Sequence, residues 1–158
     1  MSEVLKGESF KKALTDLMKS YSKGNKFSPS FKEIFKPFAD SDFKSIDVVI
    51  VYPNALQELP EYTADRVLIV RSPLTEGEGL KHMKTWGHFV MDLLKDIAYK
   101  TNKTVFVFAG KETEPFKSVV RKGQFKVFVP KEPAFDMKKI HDNINDLLTR
   151  NGKEPIKW

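Results

Sequence analysis

The sequence predicts an α/β protein, a three-layer α/β/α sandwich around a small, mostly parallel sheet of four strands. Three observations lead there. Two short runs, SIDVVIVY and DRVLIVRS, are continuously apolar and rich in β-branched residues, as strands covered on both faces are. Two more, KTVFVFAG and QFKVFVP, follow, and helical patterns flank and separate the set. The chain has 158 residues, 41% of them hydrophobic, which suits one domain with a sizeable core better than two. Residues 1–158 are therefore taken as a single domain, with N-terminal helices over 1–44 and the α/β core over 45–158.

The elements follow in order. ESFKKALTDLMKSYS (8–22) places Phe10, Leu14, Leu17 and Tyr21 at helical spacing. SPSFKEIFKPFAD opens with Ser-Pro, a helix start, and repeats Phe31, Ile34, Phe35 and Phe38 on one face until Pro37 bends or ends it. The first strand stops at Pro53. The second leads into LKHMKTWGHFVMDLLKDIAYKT, the best helical pattern, striped by Met83, Trp86, Val90, Leu93, Leu94 and Ile97. Between the third and fourth strands, KETEPFKSVVRKG reads as a short helix closed by Gly123. DMKKIHDNINDLLTRNG is the last helix, with Asp136 as N-cap and Gly152 as its stop. Crossovers in such a sheet are right-handed, and a ligand site belongs at the carboxyl ends of the strands.

Composition excludes several chemistries. There is no Cys, so disulfides, thiolate nucleophiles and Cys-ligated metal are ruled out, and no cofactor is implied. The N-terminus has no apolar signal core and no stretch is long enough for a membrane span, so no membrane partner is expected. A soluble protein of a reducing compartment, the cytoplasm, is the simplest expectation. The net charge is +6 and unevenly spread: residues 100–131 hold eight bases against two acids. Such clustering suits a polyanion such as DNA, although Lys-rich proteins are also basic for solubility alone.

The order of segments resembles the uracil-DNA glycosylases of the uracil-N-glycosylase type. PLT, TWGHF, VFAG and the C-terminal EPIKW match that family's motifs in order and at compatible spacing, and FSPSFKEIFKPFADSDFKSIDVVIV resembles its Pro-rich segment, short helix and first strand. The resemblance covers roughly residues 10–158. It implies the glycosylase fold. It also shows where this chain departs from the family's chemistry. The loop after the first strand, which in the family carries an Asp beside the cationic sugar, reads YPNAL, and Asn54 supplies no negative charge. The second strand ends not in the family's base-reading Asn but in Arg71, a donor only, suited to phosphate or carboxylate. The fourth strand leads not to a His-Pro-Ser-Pro loop but to VPKEPAFD, with Lys131 and Glu132 near the place of the His. The stretch holding the family's base-stacking aromatic is shortened to NALQELPEYTADR. Four replaced elements together read as an abandoned active site.

Other features are weighed beside these. His82 and His88 lie about 240° apart around a helix, so they do not form a metal face, and with His141 they read as surface histidines. EGEG (76–79) lacks the spacing of a phosphate-binding fingerprint and reads as a flexible acidic loop. Ser72 has no evident triad partners. Gly110-Lys111 is either an anion-friendly turn or an ordinary connection. Phe135 either wedges into DNA or is core.

Three functions remain open. The first is a non-catalytic DNA-binding or replication-accessory protein, with Asn54, Arg71, Ser72, Lys111, Lys117, Arg121, Lys122, Lys126, Lys131 and Phe135 as nucleic-acid contacts. The second is an assembly module, a homodimer or a scaffold for a protein partner, using Trp158 and the Phe-rich segment at 31–38. The third is a glycosylase of altered specificity built from Glu58, Glu61, Glu132 and Lys131. The short loops and Lys/Phe-rich composition also suit a viral protein, whose compartment is then the host cytoplasm.

Overall fold

The computed structural model describes residues 7–28, 44–53, 66–72, 74–77, 81–129 and 137–158. Its elements are α1 (Glu8–Ser22), β1 (Phe27–Ser28), β2 (Val48–Tyr52), β3 (Val67–Arg71), β4 (Glu76–Gly77), α2 (His82–Lys100), β5 (Val105–Ala109), a 3-10 helix (Lys111–Val119), β6 (Phe125–Val129) and α3 (Met137–Arg150). The main sheet has four strands in the order β3-β2-β5-β6, every neighbouring pair parallel. The expected small parallel sheet between helices is what forms. The Phe-rich segment at 31–38 and Asp136 lie outside the described residues.

The central strands explain the layers. All five residues of β2 and all five of β5 are buried. Their side chains alternate between faces, so both faces need an apolar cover. On one face Val49, Val51, Phe106 and Phe108 meet Trp86, Phe89, Leu93 and Ile97 of α2, Leu17 of α1 and Phe116 of the 3-10 helix. On the other, Val48, Ile50, Val105 and Val107 meet Ile140, Ile144 and Leu148 of α3, with Ile156 from the C-terminal tail. Asn145 fixes that tail: its Nδ2 donates to Ile156 O at 3.0 Å and its Oδ1 accepts from Ile156 N at 2.8 Å.

Several expectations need correction. β3 is not covered on both faces; it alternates between half-buried and buried residues, as an outer strand does. Tyr21 and Met83, read as part of apolar stripes, are exposed, while His82, Phe89 and Ala98 join the buried face of α2. The helix after β5 is 3-10 and ends at Val119 with Val120 as its cap; Gly123 sits in the turn before β6 and does not close it. Glu76-Gly77 is not loose: it pairs antiparallel with Phe27-Ser28.

A charged clamp closes the amino-terminal end of the sheet. Asp47 accepts from Arg66 Nε and from Lys153 Nζ, both at 2.6 Å. Arg66 also donates to Glu154 O at 2.7 Å and Lys153 to Asn102 O at 2.8 Å. The starts of β2 and β3, the turn before β5 and the C-terminal tail are thus held at one carboxylate. Burial alone pushes the Asp47 carboxyl up, but the hydrogen bonds and charges of Lys153 and Arg66 outweigh it and hold the pKa below its ordinary value.

Asp47→Ala is expected to cost about 2–3 kcal/mol, because it leaves two half-buried cations facing each other without their acceptor. The folded pKa is depressed, so the contribution is complete above the ordinary value of 3.8 and is lost as pH falls through the folded value. Denaturant melts of wild type and variant at neutral pH and in acid check this: the gap between them narrows in acid.

Candidate functional site

In a parallel sheet every strand presents its carboxyl end at the same edge, and here that edge is lined in order by Arg71, Tyr52, Ala109 and Val129. The chain leaves β2 toward β3, crosses back through α2 to β5, then moves on to β6, so connections diverge between β2 and β5. That divergence is where open α/β sheets form a ligand crevice. Gly110 sits there with φ +82, and a Cβ on it would lie 2.9 Å from Glu112 Oε2 and 3.2 Å from Pro53 Cγ. The crevice floor is therefore close-packed, with the Glu112 carboxylate beside the end of β2. Inspection of the loop following β2 missed this carboxylate, because it comes from the next strand over.

Gly110 N–H donates to Val129 O at 2.8 Å, which commits it to the sheet. The buried hydroxyl of Thr113 lies 3.1 Å from Ala109 O and 2.9 Å from Gly110 O. The turn is thus an ordinary strand–helix connection as far as its first amide goes, with exposed Lys111 beyond it. Arg71 is half-buried at the end of β3. Ser72 is fully buried; its N–H donates to Tyr52 O at 2.8 Å and its Oγ to Met83 Sδ at 3.4 Å, so it supports the edge and is not a surface contact.

A second polar group lies behind this edge. Trp86 Nε1 donates to Thr75 Oγ1 at 2.7 Å, and Thr75 Oγ1 lies 2.7 Å from His82 Nδ1. If the Thr75 proton goes to Nδ1, the imidazole carries its own proton on Nε2, which is buried and has no hydrogen-bond partner among the described residues. His82 is thus a core residue and not a surface histidine. Burial pushes its pKa down. His141, half-buried on α3, stacks on Trp158 with ring centroids 4.0 Å apart, so Trp158 is packed within this chain. Among the described residues no group of His, Asp and Glu is arranged to hold a metal ion.

The basic residues do not converge. Arg71 is on β3 and Lys126 on β6, the two outer strands, separated by about 14 Å at ~4.8 Å per strand. Lys111 starts at the carboxyl edge, whereas Arg121 and Lys122 precede β6 at the opposite end of the strands. Lys117 is exposed on the 3-10 helix. Asn54, Lys131 and Phe135, with Glu58, Glu61 and Glu132, lie outside the described residues.

This architecture is the uracil-DNA glycosylase fold. The chain superposes on mimivirus uracil-DNA glycosylase with a TM-score of 0.79 at 14% identity, covering 98% of this chain and 83% of that one. A variant of mimivirus UNG in complex with UGI matches with a TM-score of 0.78 at 15% identity over 96% and 83% of the two chains. A second such variant gives 0.76 at 16% identity, over 98% and 84%. No family model matches the sequence.

Two outcomes are expected from this geometry. Gly110→Ala destabilises the protein by about 1–3 kcal/mol, from the left-handed φ and the clash with Glu112 and Pro53 together, measured by denaturant unfolding. The depressed pKa of His82 makes folding favour its neutral form: stability is full above its ordinary value of 6.5 and falls as pH drops below it toward the folded value. Melting temperatures between neutral and mildly acidic pH check this, and His82→Gln flattens the profile.

Proposed function

We propose that this chain is a non-catalytic DNA-binding protein, of the replication-accessory kind, built on the uracil-DNA glycosylase fold. The observation that carries the reading is the side chain at the carboxyl end of β3. By the sequence resemblance this is the place of an amide that both donates to and accepts from uracil; here it is Arg71, which donates only. A guanidinium at the sheet edge is suited to a phosphate, and the basic excess of residues 100–131 supports a polyanion partner. The sequence adds YPNAL and VPKEPAFD, which lack the acid and the imidazole of the family's loops.

A glycosylase of altered specificity is the second reading. The observation favouring it is Glu112, whose carboxylate stands at the crevice between β2 and β5. A carboxylate there offers charge to an oxocarbenium-like centre but has no identified acid partner.

One experiment separates the two. Uracil-containing and otherwise modified DNA is incubated with the protein and assayed for abasic sites, beside a binding titration across salt concentrations. Binding that weakens steeply with salt and leaves no abasic site is expected, and Arg71→Ala lowers the salt slope by about one phosphate contact. Abasic sites that disappear in Glu112→Gln would establish the second reading.

A further inference from the structure

β6 leaves one of its faces open. Phe125, Val127 and Val129 pack toward α3, while Lys126 and Phe128 point to the other side, in register with Phe106 and Phe108 of β5. On that side α2 and the 3-10 helix bury Phe106 and Phe108 completely but do not close over β6. Lys126 is therefore exposed, and Phe128 is 46% exposed although its ring stacks on Phe108 with centroids 5.8 Å apart.

The same flank carries a second aromatic with a cation. Tyr99, near the end of α2, is 76% exposed, and the Arg121 guanidinium lies 5.1 Å from its ring centroid. The turn that places Arg121 is anchored. Arg121 N donates to Gln124 Oε1 at 3.0 Å, Gln124 Nε2 donates to Ala98 O at 3.0 Å, and Arg121 Nη1 reaches Tyr99 O at 3.4 Å. Exposed Lys122 follows directly. From Pro115 to Val129 the chain carries four bases and no acid.

Fixed aromatic faces interleaved with cations are what a single strand needs. Its unpaired bases stack on the rings and its phosphates meet the cations, whereas a duplex keeps its base faces to itself. We infer that the flank formed by Tyr99, Arg121, Lys122, Lys126 and Phe128 is a binding surface for single-stranded DNA, distinct from the carboxyl edge of the sheet. The inference rests on the reading of the chain as a DNA-binding protein, and it names the form of nucleic acid and the surface that takes it.

Fluorescence anisotropy with labelled oligo-dT, oligo-rU and a duplex of matched length tests it. Oligo-dT is expected to bind more tightly than the duplex and at least as tightly as oligo-rU; a clear preference for oligo-rU would overturn the assignment of this surface to DNA. Tyr99→Ala and Phe128→Ala each weaken single-strand binding roughly 5- to 100-fold. The Lys122→Glu, Lys126→Glu pair, whose side chains are exposed and whose folding is checked by an unchanged melting curve, weakens it and lowers the salt slope by about 1.4. Lys138→Glu, on α3 across the sheet, leaves binding unchanged. If wild type binds but the flank variants bind equally well, or the duplex is preferred, this surface is wrong and the DNA-binding reading stands. If wild type binds no polynucleotide at low salt, both fail. Self-association abolished by Phe128→Ala, without polynucleotide binding, assigns the flank to a protein and overturns the inference.

Discussion

Everything in this molecule depends on the burial of β2 and β5 on both faces. Two parallel strands with ten apolar side chains and no exposed one need a cover above and below. That requirement places α2 with α1 on one side and α3 with the C-terminal tail on the other. It also fixes the ends. Backbone pairing at the amino end is drawn together by the Asp47 clamp, and the carboxyl ends of the strands are left aligned at one edge. The two outer strands share less of this cover, which is why β3 and β6 alternate in burial.

The functional argument comes from those two outer strands. β3 ends in Arg71 at the carboxyl edge, where this fold has its topological crevice. β6 turns Lys126 and Phe128 outward beyond the limit of the helical cover. Between them the floor of the crevice is packed by Pro53, Gly110 and Glu112. A basic stretch that looks like one patch in the sequence is therefore spread around the molecule, because the chain traverses the sheet from end to end between Lys111 and Lys126. Sequence clustering of charge becomes a surface only where the fold returns the residues to one side, and the turn at Arg121–Gln124 is where it does so.

Most of the scaffold was legible because its signals are periodic. The apolar runs of β2, β3, β5 and β6 and the stripes of α1 and α2 recur over many residues, and continuous burial predicted a parallel sheet. What escaped has no period. The β1–β4 ladder is two residues long on each side. The core role of His82 depends on Thr75, seven residues earlier in the chain, and on Trp86 one helical turn later. The 3-10 form of the segment after β5 escaped because its three buried residues, Thr113, Phe116 and Val119, recur every three positions, a spacing that a short α-helix also allows. Glu112 escaped because a strand's carboxyl edge collects side chains from neighbouring strands, whereas a sequence reading searches the loop it is in. Arg71 was legible, because strand registers carry a motif's end residue to a fixed place.

The measurement that bears most directly on this account is an NMR titration of isotope-labelled protein with a uracil-containing single strand. It reads the protein's amides and the uracil ring protons in one sample. The account predicts amide shifts along Arg121–Val129 and at Arg71, with the uracil resonances remaining those of the nucleotide. Appearance of free uracil, or a titration in which no amide of those segments moves, would contradict it.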